Sequence, residues 1–233
     1  MGIWGSISSG ISSICSGVAS ICSGIGRGVG SFMTNVAPKL MTVIGTTVSK
    51  LNTVLAVVQA VVQLYGILKP EEKVEDIGDK AIQASEEGIS MDKFDDFDAY
   101  MESLRNFDVN PERSSEIDDV TKKLSGIAVV TQGLSEKLKV NDNSLGNLWT
   151  LPALNAQVFT ADRIKAILDG TMNLNHVVRY FEKDLTPQTA LSVEKGLFDA
   201  EKKLSPEKTD SEIYQMLDST KTDITKKSEQ FSS

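Results

Sequence analysis

No acidic side chain occurs before Glu71, and over that stretch large apolar residues recur at steps of three and four: Ile3, Ile7, Ile11, Ile14, Val18, Ile21, Ile25, Val29, Phe32, Val36 and Leu40. That period places them on one face of a helix. The other positions are nearly bare, as in Ser9-Gly10-Ile11-Ser12-Ser13-Ile14-Cys15 and its echo Ser16-Gly17-Val18-Ala19-Ser20-Ile21-Cys22. A helical glycine costs about 1 kcal/mol relative to alanine in water, whereas in lipid small residues let helix backbones approach and associate. The segment is therefore expected to meet a membrane or a tight helix seam, with Gly10, Gly17, Gly24 and Gly28 as the packing and oligomerisation face.

Pro38 divides this region into two helical segments, because proline is tolerated in a first helical turn and disruptive in an interior. The expected result is a glycine-rich hydrophobic helical hairpin. Its second arm runs without charge from Leu51 to Leu68, and eighteen residues meet the lower limit of about 17 to 25 for crossing a bilayer. Ile11, Ile14, Val18, Ile21 and Ile25 on the first arm, with Val54, Val57, Val58, Val61, Val62 and Leu64 on the second, are the expected insertion residues. Asn52, Gln59 and Gln63 fall near one face at helical spacing and form a candidate polar pore strip. Lys50 and Lys69 flank the arm, where long cationic side chains can reach a membrane interface.

From Lys69-Pro70-Glu71 the composition turns charged and amphipathic, which divides the chain into a membrane-active or self-associating region, 1–69, and an acidic α-helical domain, 70–233. The front carries Arg27, Lys39, Lys50 and Lys69 against no anion, so with a net charge of −8 the remainder holds −12. Such a body argues against nucleic acid as a partner, and the cationic front favours anionic lipid. Asn110-Pro111, Thr186-Pro187 and Ser205-Pro206 each read as a cap followed by proline at the first helical position. Helices are expected near 71–87, 91–107, 111–140, 160–183, 187–204 and 206–227, with a turn around Trp149 and Pro152 and an all-α fold. Within 111–140, Ile117, Val120, Leu124, Ile127, Leu134 and Leu138 form a heptad stripe with Thr131 filling the one polar gap.

Catalytic chemistry is hard to assemble. The single histidine, His176, lies among Leu174, Val177 and Val178 and reads as a bundle residue. Cys15 and Cys22 are seven apart, about 10 Å along one helix, too far to bridge within it. They read as small helix-face residues, with intermolecular bridging or acylation as the alternatives. Asp92, Asp95, Asp96, Asp98 and Glu102 lack the glycine turn of a calcium loop and alternate with Phe94, Phe97, Tyr100 and Met101, so an amphipathic acidic helix explains them. No phosphate loop, dinucleotide fingerprint or zinc spacing occurs. No enzyme, cofactor or metal is expected.

The chain therefore reads as a membrane-inserting, pore-forming or permeabilising protein that oligomerises through its small-residue face. In outline it resembles small helical pore-forming effectors and toxins, a resemblance that implies an antibacterial or host-directed role, a soluble form before delivery or secretion, membrane association afterwards, and a neutralising or carrier protein as a further partner. One alternative is a structural or assembly protein whose front helices build an oligomer without lipid. Another is a virion minor coat or penetration protein, for which Met1-Gly2-Ile3-Trp4-Gly5-Ser6 supplies a myristoylation pattern with Gly2 as the acylated residue.

Overall fold

Side-chain caps fix where most of the helices begin. In the computed structural model, which describes residues 9–45 and 48–231, the Asn110 carboxamide accepts the Glu112 and Arg113 N–H groups and opens a short helix, and Thr186 accepts the Thr189 N–H. Ser205-Pro206 is different. Ser205 closes the preceding helix, and the next one starts only after Thr209, whose N–H and hydroxyl both donate to the Glu212 carboxylate while its Oγ1 accepts the Glu212 N–H. That reciprocal capping box outweighs the proline signal.

The chain is all-α, with no strand among the described residues. The front holds α1 (Ser9–Cys22), α2 (Arg27–Asn35), α3 (Ala37–Ile44) and α4 (Val48–Leu64). Beyond it lie α5 (Val74–Glu86), α6 (Phe97–Arg105), α7 (Pro111–Glu116), α8 (Asp119–Leu138), α9 (Asp142–Leu148), α10 (Thr150–Leu154), α11 (Ala161–Leu168), α12 (Leu174–Phe181), α13 (Pro187–Leu204) and α14 (Asp210–Phe231).

Four helices in the front, where proline alone predicts two segments, reflect tertiary hydrogen bonds. The ladder is cut after Cys22 because the Ile25 carbonyl accepts the Met91 N–H at 2.7 Å, and the Arg27 N–H donates to Asp92 at 3.1 Å. The second cut falls at Val36, with Pro38 inside the first turn of α3. The uncharged 51–68 run is likewise not one helix. Gly66, at φ +68°, closes α4 by donating to the Gln63 carbonyl while the Ile67 N–H reaches the Val62 carbonyl. Among the described residues no helix is long and apolar enough to cross a membrane.

Elsewhere the expected helices break where side chains cap. Asp118 accepts the Thr121 N–H and splits the 111–140 run into α7 and α8, and Asn173 starts α12 within 160–183. Asp96 accepts the Ala99 N–H, so 91–107 becomes a 3-10 turn at Met91–Lys93 followed by α6. The 145–158 stretch supplies α9 and α10 around a fully buried Trp149.

α8 is the axis. Leu124, Ser125, Ile127, Ala128, Val129, Val130, Thr131 and Leu134 are all shut from solvent, as expected for a helix surrounded on every side. α5 lies closest to it. A Cβ on Gly78 would sit 1.9 Å from the Lys122 carbonyl oxygen, and one on Gly126 equally close to the Val74 carbonyl, so the two backbones touch where both lack side chains. Around this pair, α2 and α1 pack on one side, α4 with α10 and α11 on another, and α11 to α14 complete the body. One apolar core runs from Cys15 to Ile224 across the 69/70 composition boundary. Thr131, the polar gap in the heptad stripe, donates to the Ile127 carbonyl and accepts the Trp149 indole N–H at 2.9 Å.

Candidate functional site: the groove beside the first helix

α1 is amphipathic in an unusual way, because both its faces lack charge. Cys15, Val18 and Cys22 point into the core. Ile14 and Ile21 remain 42% and 38% exposed, and between them Gly17 leaves the helix surface flat. Among the described residues, nothing lies within 4 Å of a Cβ placed on Gly10 or Gly17. Beside this face opens a groove of about 430 Å³, within the range of about 300–1,000 Å³ typical of small-molecule sites. Ser13, Ile14, Gly17, Val18 and Ile21 form one wall; Met41, Ile44 and Leu51 from α3 and α4 meet Val120 and Thr121 of α8 on the other. The single charge at its edge is Asp118, engaged as the α8 cap through the Thr121 N–H and hydroxyl at 3.0 and 2.5 Å.

α1 is held by few bonds. A buried side-chain hydrogen bond joins the Cys22 sulfur to the Ser125 hydroxyl at 2.8 Å. Burial pushes the Cys22 thiol up to about 11, the Ser125 hydrogen bond acting in the opposite sense, and burial also raises Cys15. Both cysteines are free, neutral near pH 7 and part of the apolar contact.

The four expected seam glycines do not share one face. Gly10 and Gly17 are open, Gly24 lies against Ser85 beyond the end of α1, and a Cβ on Gly28 would overlap the Gln132 carboxamide of α8. Of the insertion residues, Val18, Ile25, Val54, Val58, Val61 and Val62 are buried in the core, Ile11 and Val57 are half-buried, and Ile14, Ile21 and Leu64 are exposed. The polar strip of α4 is engaged by the fold. Asn52 accepts Lys123 Nζ at 2.7 Å, Gln59 accepts the Val74 N–H and donates to the Glu72 carbonyl, and Gln63 donates to the Lys69 and Pro70 carbonyls. In this form the strip fastens the 65–73 connection and α8. Gly2, Ile3 and Ile7 lie outside the described residues.

No family model, curated protein or solved structure matches the chain. Its chemistry must be read from its own residues. His176 is half-buried between two polar clefts, one edged by Lys39, Asn175 and Arg179 and the other by Thr189, Ser192 and Asp199. Among the described residues no side-chain hydrogen bond joins it to a nucleophile or an acid. No group of three or more metal-ligating side chains gathers among them either. In the acidic cluster, Asp92 pairs with Arg27 at 3.3 Å and Asp96 caps α6.

The strongest polar sites are braces. Glu201, only 1% exposed, takes Arg163 at 2.6 Å and Lys208 at 2.6 Å. Burial alone would raise its carboxyl, yet the Arg163 and Lys208 hydrogen bonds prevail and hold it below the ordinary carboxylate range. Asp79 behaves alike: burial opposes ionisation, and Ser114, Gln83 and Lys122 outweigh it. Sequence patterning missed the groove and the Gly78–Gly126 contact. The lone glycines inside helical stretches at 78 and 126 were the available signal for the second; the groove, assembled from four helices, left none.

Proposed function

We propose that the protein is a membrane-permeabilising protein held in a water-soluble form, with α1–α4 as the part that enters lipid and the acidic helices from α5 onward as its shelter. One observation carries this reading. The acid-free stretch is folded into the common core, yet α1 is attached along a single face and leaves Ile14 and Ile21 exposed beside an apolar groove. Aliphatic side chains that leave the core and enter hydrocarbon exchange one apolar setting for another, about 1.5–3 kcal/mol each that is not lost. Charged side chains at a bilayer centre cost about 2.5–3.5 kcal/mol apiece, and α1–α4 contain only Arg27, Lys39 and Lys50. From Glu71 onward thirty-two acidic residues make the same transfer prohibitive.

Since no described helix spans a bilayer as folded, entry requires rearrangement. Loss of the contacts at Ile25 and Arg27 would let α1 and α2 join across Gly24–Gly26, and the Val36 junction straighten into α3. The reading makes the protein non-enzymatic. It is tested by adding the purified full chain to dye-loaded vesicles of 30% anionic lipid and recording planar-bilayer conductance. Dye release with discrete conductance steps supports it; tight vesicles and a silent bilayer, across pH 4 to 8, overturn it. A second reading, an assembly protein that never meets lipid, is favoured by the groove itself. Vesicle flotation separates the two, since an assembly protein stays in the aqueous fraction.

A further inference from the structure

We infer that in water the chain pairs with a second copy of itself through α1, the Ile14–Gly17–Ile21 ridge of each copy lying in the groove of the other. The inference concerns the lipid-free protein and does not depend on the membrane reading. Its first support is geometric. Ridge and groove share the same residues, Ile14 and Ile21 being both the exposed side chains and part of the groove wall. A surface that is at once knob and hole can satisfy itself about a two-fold axis, where each contact is made twice. Among the described residues Gly10 and Gly17 have no neighbour within 4 Å of a Cβ position, so another backbone can come close there.

Charge selects the copy over other occupants. A molecule of net charge −8 repels itself over most of its surface, but no residue of Ser9–Cys22 is charged. Two copies meeting at α1 therefore bring together an exposed helix face that carries no charge. The Asp118 carboxylate, the one charge among the described residues that line the groove, would face a partner's acid-free front, whose charged side chains Arg27, Lys39, Lys50 and Lys69 are all cationic. An anionic fatty acid would meet Asp118 with the wrong sign. The exposed Ile14 and Ile21 side chains leave water on pairing, and the groove gains the side chains it lacks.

Sedimentation velocity on the full chain in lipid-free buffer, from 1 to 300 µM, tests this. A concentration-dependent dimer is expected, and Ile14→Glu or Ile21→Glu should weaken it at least tenfold. Both side chains are already half in water, so each variant should keep the wild-type circular dichroism and melting curve. Leu191→Glu, at a 67% exposed position of α13, should leave the dimer intact. A wild-type chain monomeric to 300 µM overturns the inference, as does equal weakening by Leu191→Glu. One-to-one binding of dodecylamine to a wild-type monomer, abolished by Ile21→Glu, would also overturn it by assigning the groove to an aliphatic ligand. Vesicles that stay tight would sink the membrane reading and leave the dimer untouched.

Discussion

Gly126→Ala should be among the most damaging single-methyl changes available to this chain. The added Cβ would lie 1.9 Å from the Val74 carbonyl oxygen and 2.9 Å from the Val74 side chain. Because the obstacle is backbone, α5 and α8 must part by about 1.5 Å to restore an ordinary 3.4 Å contact. A radial gap of about 0.5–1 Å already forfeits a quarter to a half of each dispersion contact, and the loss falls on Ile77, Ala81, Ile82, Ile127 and Val130, all buried around the seam. Overpacking costs about 1–3 kcal/mol, and the parted helices add to it; the alanine returns about 1 kcal/mol of helix propensity. The net expectation is a loss of about 3 kcal/mol. Urea unfolding followed by circular dichroism reads it as a midpoint lowered by roughly 1 M, for a slope of about 3 kcal/mol/M. Gly17→Ala is the internal control, since nothing among the described residues lies within 4 Å of its Cβ. It should raise stability by up to about 1 kcal/mol through propensity alone. Equal and opposite signs are not required, but a Gly126→Ala midpoint within 0.2 M of wild type, or a Gly17→Ala loss of comparable size, would refute the close-seam reasoning.

Acid should loosen the body. The folded-state carboxyls of Glu201, Asp79 and Glu72 are held below their ordinary values, so their contribution is complete above pH about 5 and is lost as pH falls through about 4 and below. Glu201→Gln should lower stability at pH 7 by about 3 kcal/mol, leaving Arg163 and Lys208 without their shared anion, and should flatten the acid limb of a stability-against-pH curve; an unchanged limb would mean that other groups carry it. Cys22, buried and with its thiol pushed up to about 11, should resist iodoacetamide at pH 7.5 in the folded chain and react within minutes in 6 M urea. Rapid alkylation of the native protein, mapped to Cys22 by mass spectrometry, would show α1 to be detached already.

Periodicity served best where one helix supplied its own evidence. The span Pro187–Leu204 emerges from the Thr186 cap and its proline, and the stripe from Leu124 to Leu134 is the buried axis of the fold. It failed where distant atoms decide. Nothing near Cys22 announces that the Met91 N–H and the Asp92 carboxylate will end the ladder there. The α4 polar strip read as a candidate pore face because its partners, Lys123 and the backbone at 69–74, lie across the fold or beyond a turn. Composition correctly marked the front as acid-free and small-sided. It could not say that the closest helix contact lies between two other glycines, at positions 78 and 126, because close approach belongs to a pair of helices and neither sequence alone displays it.

On the proposed membrane-permeabilising reading, α1 must leave α8 before the chain can breach a membrane. The Cys22 sulfur lies 2.8 Å from the Ser125 hydroxyl, so Ser125→Cys in a Cys15→Ala background should let Cys22 close a reducible bridge that fastens α1 to α8. Dye release from anionic vesicles is the measurement. The account predicts tight vesicles with the oxidised chain and wild-type leakage once a reductant is added; full leakage from the oxidised chain would contradict it.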